Sequence, residues 1–256
     1  LSATVLLLRD GAQGLEVFMV VRHQQIDFAS GALVFPGGKL AAGDAAPALR
    51  GLCSGAEALS DEQLALHVGA IRETFEECGV LLARERGAAR LLGAERAAAL
   101  GQRYRQALDR GEIGMAEMLQ GEGLQLACEE LALFAHWITP TFMPKRFDTY
   151  FYLAAAPLEQ IALHDGREMV DSVWLPPAQV LAEAAAGRRT LVPVTQLNVA
   201  KLGRSASVAA AFAAARAGRI VTVQPQGTAQ AGGMLLRIPV EADYGVAEFF
   251  FPTAAA

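Results

Sequence analysis

Cysteine is scarce in this 256-residue chain, and the three present (Cys53, Cys78 and Cys128) are far apart, odd in number and free of C-x-x-C spacing. That excludes a disulfide framework and a structural zinc site, and it fits a reducing, cytoplasmic setting. The four histidines, His23, His67, His136 and His164, share no ligand spacing. Basic surplus is absent too: 22 Lys and Arg stand against 27 Asp and Glu, a formal charge of −5. A broad nucleic-acid footprint is normally basic, so any polyanion must be bound locally. No stretch reads as a membrane span, and the mean hydropathy of +0.28 comes largely from alanine. Leu1 to Arg9 is apolar but has neither a basic leader nor a cleavage pattern, and reads as a strand. A phosphate-binding P-loop fails as well, because Leu40 follows Gly38-Lys39 and Leu33 stands where the first glycine belongs. No internal repeat is visible.

What the chain does have lies between Phe35 and Val80. Phe35-Pro36-Gly37-Gly38 opens this stretch, and Arg72-Glu73-Thr74-Phe75-Glu76-Glu77-Cys78-Gly79-Val80 closes it. Plotted as a helix, Leu64, Val68, Ile71, Phe75 and Cys78 share one arc, the buried one, with His67 at its edge. Glu73, Glu76 and Glu77 then gather on the other side at i, i+3 and i+4. Like charges at that spacing repel by a few tenths of a kcal/mol, roughly 0.2–0.5 per pair, so a helix built for stability alone would avoid them. A divalent cation offsets the repulsion, and Mg²⁺ in particular prefers carboxylate oxygens together with substrate phosphates. Gly37 and Gly38 allow a tight turn beside those acids, Pro36 fixes its entry, and Gly79 is placed to end the helix.

These two segments resemble a Nudix box, whose form is G-x5-E-x7-R-E-U-x-E-E-x-G-U with U apolar. Gly38 and Asp44 satisfy the first spacing with aspartate in place of glutamate. Ala45 to Ile71 then stands where the family usually has seven residues, and Thr74 replaces an apolar residue. An interrupted box of this kind is similar to the Nudix subgroup that includes coenzyme A diphosphatases. Trp137-Ile138-Thr139-Pro140 followed by Arg146-Phe147-Asp148-Thr149 resembles a recurrent companion of that box. The resemblance implies an α/β/α sandwich around a mixed β-sheet, with extra helical insertions, as one domain over residues 1–256.

Along the chain, Ala3 to Arg9 and Leu15 to Arg22 read as a hairpin across Asp10 to Gly14, and Ala32 to Phe35 as a short extended lead into the glycine turn. Ala45 to Ser60 is an inserted loop with room for a short helix. Ser60 and Gln63 make a capping box, so the box helix starts about three turns before Glu73. Arg84 to Gln120 reads as two Ala-rich helices broken near Gly111 to Gly114. Strands follow over Leu131 to Trp137, Arg146 to Ala156 and Val170 to Leu175, then a helix from Ala178 to Ala186 and another over Thr195 to Ala217. Ile220 to Gln224 and Met234 to Val240 read as paired strands about a Gly/Gln/Ala loop. Phe249-Phe250-Phe251 is an apolar tail that docks on the core or on a partner subunit, which leaves a homodimer open.

The chemistry implied is hydrolysis of a diphosphate linkage in a nucleoside diphosphate joined to another group, with Mg²⁺ or Mn²⁺ held by Glu73, Glu76 and Glu77. The proton of the attacking water goes to Glu77 or to Glu168, with Asp165 and Asp171 behind the latter. Arg72 orients Glu76 through an i,i+4 pair, and Gly37 and Gly38 shape the substrate loop. Arg146 either clamps a phosphate or pairs with Asp148 at the strand end. The resemblance points to coenzyme A or acyl-coenzyme A, with ADP-ribose, NADH and dinucleoside polyphosphates left open. A non-catalytic Nudix-fold nucleotide-binding module is the competing class, although such modules are expected to have lost box carboxylates that are all present here.

Overall fold

The computed structural model describes residues 1–22, 31–160, 162 and 169–252. A hairpin starts the chain, β1 (Ser2–Gly11) and β2 (Gly14–Arg22), closed by the two residues Ala12 and Gln13. Two short strands follow, β3 (Leu33–Val34) and β4 (Gly37–Lys39), then two 3-10 turns and β5 (Cys53–Ser54). The long helix α1 (Asp61–Cys78) leads to β6 (Ala83–Glu85), α2 (Ala94–Asp109), α3 (Met115–Glu122) and β7 (Leu124–Ala127). The remaining elements are β8 (Leu131–Ile138), β9 (Asp148–Ala155), β10 (Met169–Leu175), α4 (Pro177–Ala185), α5 (Pro193–Leu202), α6 (Val208–Ala217), β11 (Thr222–Val223), β12 (Gln226–Gln230), β13 (Gly233–Arg237) and β14 (Glu248–Pro252).

The main sheet runs β10-β2-β1-β9-β8-β11, with β3 on β2 and β4 on β1. It is mixed: β1 with β9 and β8 with β11 are parallel pairs, and the rest are antiparallel. Alternation along β1 shows why both faces are covered. Ala3, Val5 and Leu7 pack into the apolar cluster around α1, whereas Leu6 and Leu8 pack into a second cluster with Val199, Leu202 and Ala211 of α5 and α6. Near-continuous apolar runs are what a sheet buried on both sides requires, and the result is an α/β/α arrangement. Among the described residues no helix is long and apolar enough to cross a membrane.

The start of α1 follows from its cap. Ser60 Oγ accepts from the Gln63 N–H at 3.2 Å while Gln63 Oε1 accepts from the Ser60 N–H at 2.9 Å. Gly79, at φ 71°, ends the helix in the left-handed region. Thr74 is fully buried and gives its hydroxyl to the Ala70 carbonyl at 2.8 Å, so a polar residue is tolerated at that apolar box position. The segment inserted into the box is ordered and not a simple loop. Its 3-10 turns hold Arg50, which bonds the carbonyls of Ala56 and Leu59 and the carboxylate of Asp61, and β5 pairs with β7.

Three expectations require correction. Thr195 to Ala217 is two helices, because Ser207 caps a fresh start by accepting from the Ala210 N–H. Ile220 to Gln224 shrinks to β11, which joins the main sheet beside β8 and does not pair with the strand after it. The supposed Gly/Gln/Ala loop is largely β12, and the tail at Phe249 to Phe251 is β14, so β12-β13-β14 forms a separate antiparallel sheet.

Candidate functional site

A pocket of about 620 Å³ opens where α1, the Gly37-Gly38 loop and the ends of β1, β8 and β9 meet. Glu73, Glu76 and Glu77 all line it, together with Gly37, Gly38 and Arg72. The distant halves of the box are thus brought to one wall. Gly37 N–H donates to Glu77 Oε2 at 2.8 Å, which ties the loop to the helix across 40 residues of sequence. Gly37 sits at φ 150°, and a Cβ there would lie 2.4 Å from the Ala3 carbonyl oxygen. At Gly38 a Cβ would lie 2.6 Å from Glu73 Oε2. Gly38→Ala should therefore push the Glu73 carboxylate aside without unfolding the chain. Its expected signature is a loss of turnover of about tenfold or more with a near-wild-type melting temperature, since a misplacement of about 1 Å can cost on the order of 100-fold.

Arg72 is the hub of this wall. Its guanidinium reaches Asp44 twice, at 2.8 and 2.9 Å, Glu73 at 3.0 Å, Glu76 at 2.8 Å and the Lys39 carbonyl at 3.0 Å. The i,i+4 pair with Glu76 is the one expected from the helix period. Asp44, 2% exposed, fills the acidic position before the insertion and serves to fix Arg72. Gly69 makes room for this approach, because a Cβ there would meet Leu40 Cδ2 at 2.3 Å and Asp44 Oδ2 at 3.1 Å.

Glu76 and Glu77 are buried, not on a solvated flank, because α2 closes over the end of α1. Arg105 of α2 donates through Nε and Nη2 to the Glu76 carbonyl at 3.0 and 2.8 Å, satisfying a backbone acceptor near the helix C-terminus. One turn further along α2, Asp109 joins the pocket wall. Sequence reasoning missed it. The helical signal was there, but nothing in an Ala-rich helix marks which acid faces a pocket.

Burial pushes the Glu76 carboxyl up to about 7, with Arg72 working against that rise and Glu73 adding to it. For Arg72, burial acts against the charge, yet Asp44, Glu73 and Glu76 hold its pKa above the ordinary value. Among the described residues Glu76 Oε1, which is buried, has no hydrogen-bond partner. Such an orphan acceptor beside hard carboxylate oxygens fits a divalent cation in chemistry. Among the described residues no three acidic, His or Cys side chains already converge on one ion position, since Arg72 draws Glu73 and Glu76 to itself.

The shifted Glu76 pKa has a measurable consequence in the metal-free protein. The folded state holds a proton that the unfolded state releases at its usual 4.5, so Glu76 contributes stability that is full below that value and is lost as pH rises through about 7. The fall in melting temperature between pH 5 and pH 8 should be smaller in Glu76→Gln than in wild type. Equal falls would mean that Glu76 titrates normally.

Glu168 and Asp165 lie outside the described residues. Asp171 is in β10, where its carboxylate accepts from the Ser172 N–H and stands 3.8 Å from Arg189. Arg146 does not join the pocket wall; its Nε donates to the Thr139 carbonyl at 3.2 Å. Its expected pair with Asp148 gives way to His136, whose Nε2 meets Asp148 Oδ1 at 2.6 Å. The strand β9 begins two residues beyond Arg146, and it is neighbouring Lys145 that lines the pocket. Phe147, just before that strand, and Thr149 and Phe151 within it all line the pocket, in keeping with the two-residue alternation of extended chain.

A family model described as the NUDT19 Nudix domain matches residues 53–202, which include the box helix and the Trp137 to Thr149 segment. Among solved structures, a NUDIX hydrolase from Alicyclobacillus acidocaldarius is 29% identical, with a TM-score of 0.64 over 83% of this chain and 92% of that one. The NUDIX domain of Shewanella oneidensis NrtR, solved with ADP ribose, is 14% identical at a TM-score of 0.37, covering 71% and 75%. A C. elegans Ap4A hydrolase is 12% identical at a TM-score of 0.37, covering 80% and 96%. The family match takes in more than half of the chain and holds the three glutamates that share the pocket wall; this protein belongs to the Nudix family, hydrolases of nucleoside diphosphate derivatives that generally use divalent metals.

Proposed function

We propose that this enzyme splits the diphosphate linkage of coenzyme A or an acyl-coenzyme A, using Mg²⁺ or Mn²⁺. The observation that carries the diphosphatase reading is the shared wall on which Glu73, Glu76 and Glu77 face a pocket beside the Gly37-Gly38 loop. The coenzyme A assignment is supported by the interrupted box and its Trp137 to Thr149 companion segment.

Glu73, Glu76 and Glu77 would hold the cation, which when bound neutralises the diphosphate and lowers the pKa of its water. The chain's own part begins with Arg72, which holds Glu76 through Oε2 and leaves Oε1 without a donor among the described residues. Gly37 N–H, by holding Glu77 Oε2, sets the distance between loop and helix. A carboxylate then takes the proton of the attacking water; Glu77 and Glu168 are the candidates from the box and the late loop, and Asp109 is a third on the pocket wall. Lys145, and not Arg146, supplies the cation with which the 140–147 loop meets the substrate anion. Lys145→Ala should raise KM about three- to tenfold, roughly the 1 kcal/mol of one exposed charge-assisted contact, whereas Arg146→Ala leaves KM within twofold.

The deciding experiment presents coenzyme A, acyl-coenzyme A esters, ADP-ribose, NADH and diadenosine polyphosphates with Mg²⁺ or Mn²⁺ and separates the products by chromatography. Release of 3′,5′-ADP from coenzyme A that stops on adding EDTA is the expected result. If every compound survives with both metals, the chain is a nucleotide-binding module.

A further inference from the structure

Part of the pocket wall is built by β13 and β14, which lie beyond the residues that the family model matches. Pairing puts Gly227, Leu236 and Phe249 in one cross-strand row, and Met234 opposite Phe251 in the next row but one. One face of this small sheet therefore carries Leu236, Phe249 and Phe251, all on the pocket wall. The other face carries Phe250, which is 47% exposed. Phe142, from the loop after β8, closes over the same face. It packs so tightly that a Cβ on Gly227 would fall 2.5 Å from its ring.

Every residue that the C-terminal segment contributes to the wall, Pro225 included, is apolar. The polar side chains of the pocket come from earlier elements: Ser2 and Thr4 of β1, Lys39, Arg72 and the box carboxylates, Asp109 of α2, Thr139, Lys145 and Thr149 around β8 and β9, and Thr195 of α5. A nucleobase seated against β13 and β14 would bury ring nitrogens and an exocyclic group with no side-chain partner on that wall, which is unfavourable. An aliphatic chain carries no such groups and gains from every methylene it buries. Phe249 and Phe251 also cost little to order, since both stand on a strand that is paired along its length with β13.

We infer that the apolar face of the β12-β13-β14 sheet selects an aliphatic acyl group carried by the substrate, with Phe142, Phe249 and Phe251 as its specificity-determining residues. The inference rests on the acyl-coenzyme A reading and deepens it: the enzyme prefers esters to the free thiol, and the C-terminal sheet is the reason.

The test measures kcat/KM for coenzyme A and its acetyl, hexanoyl and decanoyl esters, for wild type, Phe251→Ala, Phe251→Leu and Phe142→Ala. In wild type kcat/KM should climb with chain length by about two- to fourfold per methylene until the arm is filled. Phe251→Ala and Phe142→Ala should each lower the decanoyl-to-free ratio by about tenfold or more, with Phe251→Leu restoring most of it. Should Phe251→Ala fail to fold, Phe142→Ala carries the test, because that side chain is 44% exposed on a loop. Coenzyme A hydrolysed with no dependence on chain length, or a ratio unmoved in the variants, overturns the inference and leaves the coenzyme A assignment standing. Hydrolysis of NADH or ADP-ribose with no attack on coenzyme A or any ester overturns both.

Discussion

Glu76→Gln should lower kcat on the order of 1,000-fold, about 4 kcal/mol of barrier, while leaving the fold as stable as wild type or more so. The two halves of that outcome have one cause. Glu76 Oε2 accepts from Arg72 at 2.8 Å, a bond that the carbonyl of glutamine can also accept. Its other oxygen is buried with no donor among the described residues, and there the glutamine would place an amide nitrogen that cannot ligate a cation. Removing a carboxyl that burial has pushed up to about 7 also removes a cost of folding at neutral pH. Activity and stability thus move in opposite directions, as they do where a site holds groups in place against their own preference. Glu77→Gln should match the loss of rate without the gain in stability, because Glu77 already has a donor in Gly37 N–H. Turnover with saturating Mg²⁺ or Mn²⁺, read beside melting curves, decides the matter. A Glu76→Gln enzyme within threefold of wild type would mean that this carboxylate is structural.

How far the molecule could be read from its residues depends on the range of the forces involved. The 3.6-residue period put Leu64, Val68, Ile71, Phe75 and Cys78 on the buried side of α1, and all five are buried. Ser60, Gln63 and Gly79 are local devices, and they bound the helix where capping chemistry says they should. Period alone also placed the three glutamates together. It could not show that two of them are buried, since that depends on α2, fixed through Arg105 from 29 residues away. Asp44 was visible as an acid at the right spacing, but its task, gripping Arg72 in a fork, arises only when the inserted segment folds back on Gly69. The C-terminal region was harder still. Residues 226–230 are wholly exposed, so no apolar alternation marks β12, and glycine, glutamine and alanine suggest a loop. Phe249 and Phe251 were conspicuous, yet only their register against β13 turns them toward the pocket.

Arg72→Met should destabilise the metal-free protein by about 3–5 kcal/mol, the usual penalty for removing one partner of a buried ionic set. Asp44 is 2% exposed and Glu76 8% exposed, and both take bonds from the guanidinium that Met cannot supply. Asp44 and Glu76 would then share a buried wall with Glu73 without the guanidinium that joins all three. Arg72→Lys keeps the charge but loses the planar fork that meets Asp44 at 2.8 and 2.9 Å, so it should fall between Met and wild type. Asp44→Asn added to Arg72→Met should recover part of the loss, and the failure of the two changes to add measures the pair directly. A divalent cation separates this account from simple loss of packing. If the freed carboxylates bind Mg²⁺ more strongly than wild type does, saturating Mg²⁺ should raise the melting temperature of Arg72→Met by more than it raises that of wild type. Chemical denaturation with and without Mg²⁺ checks both points. A cost below about 1 kcal/mol, the range of exposed pairs, would show that the cluster is solvated and that Arg72 holds nothing in place.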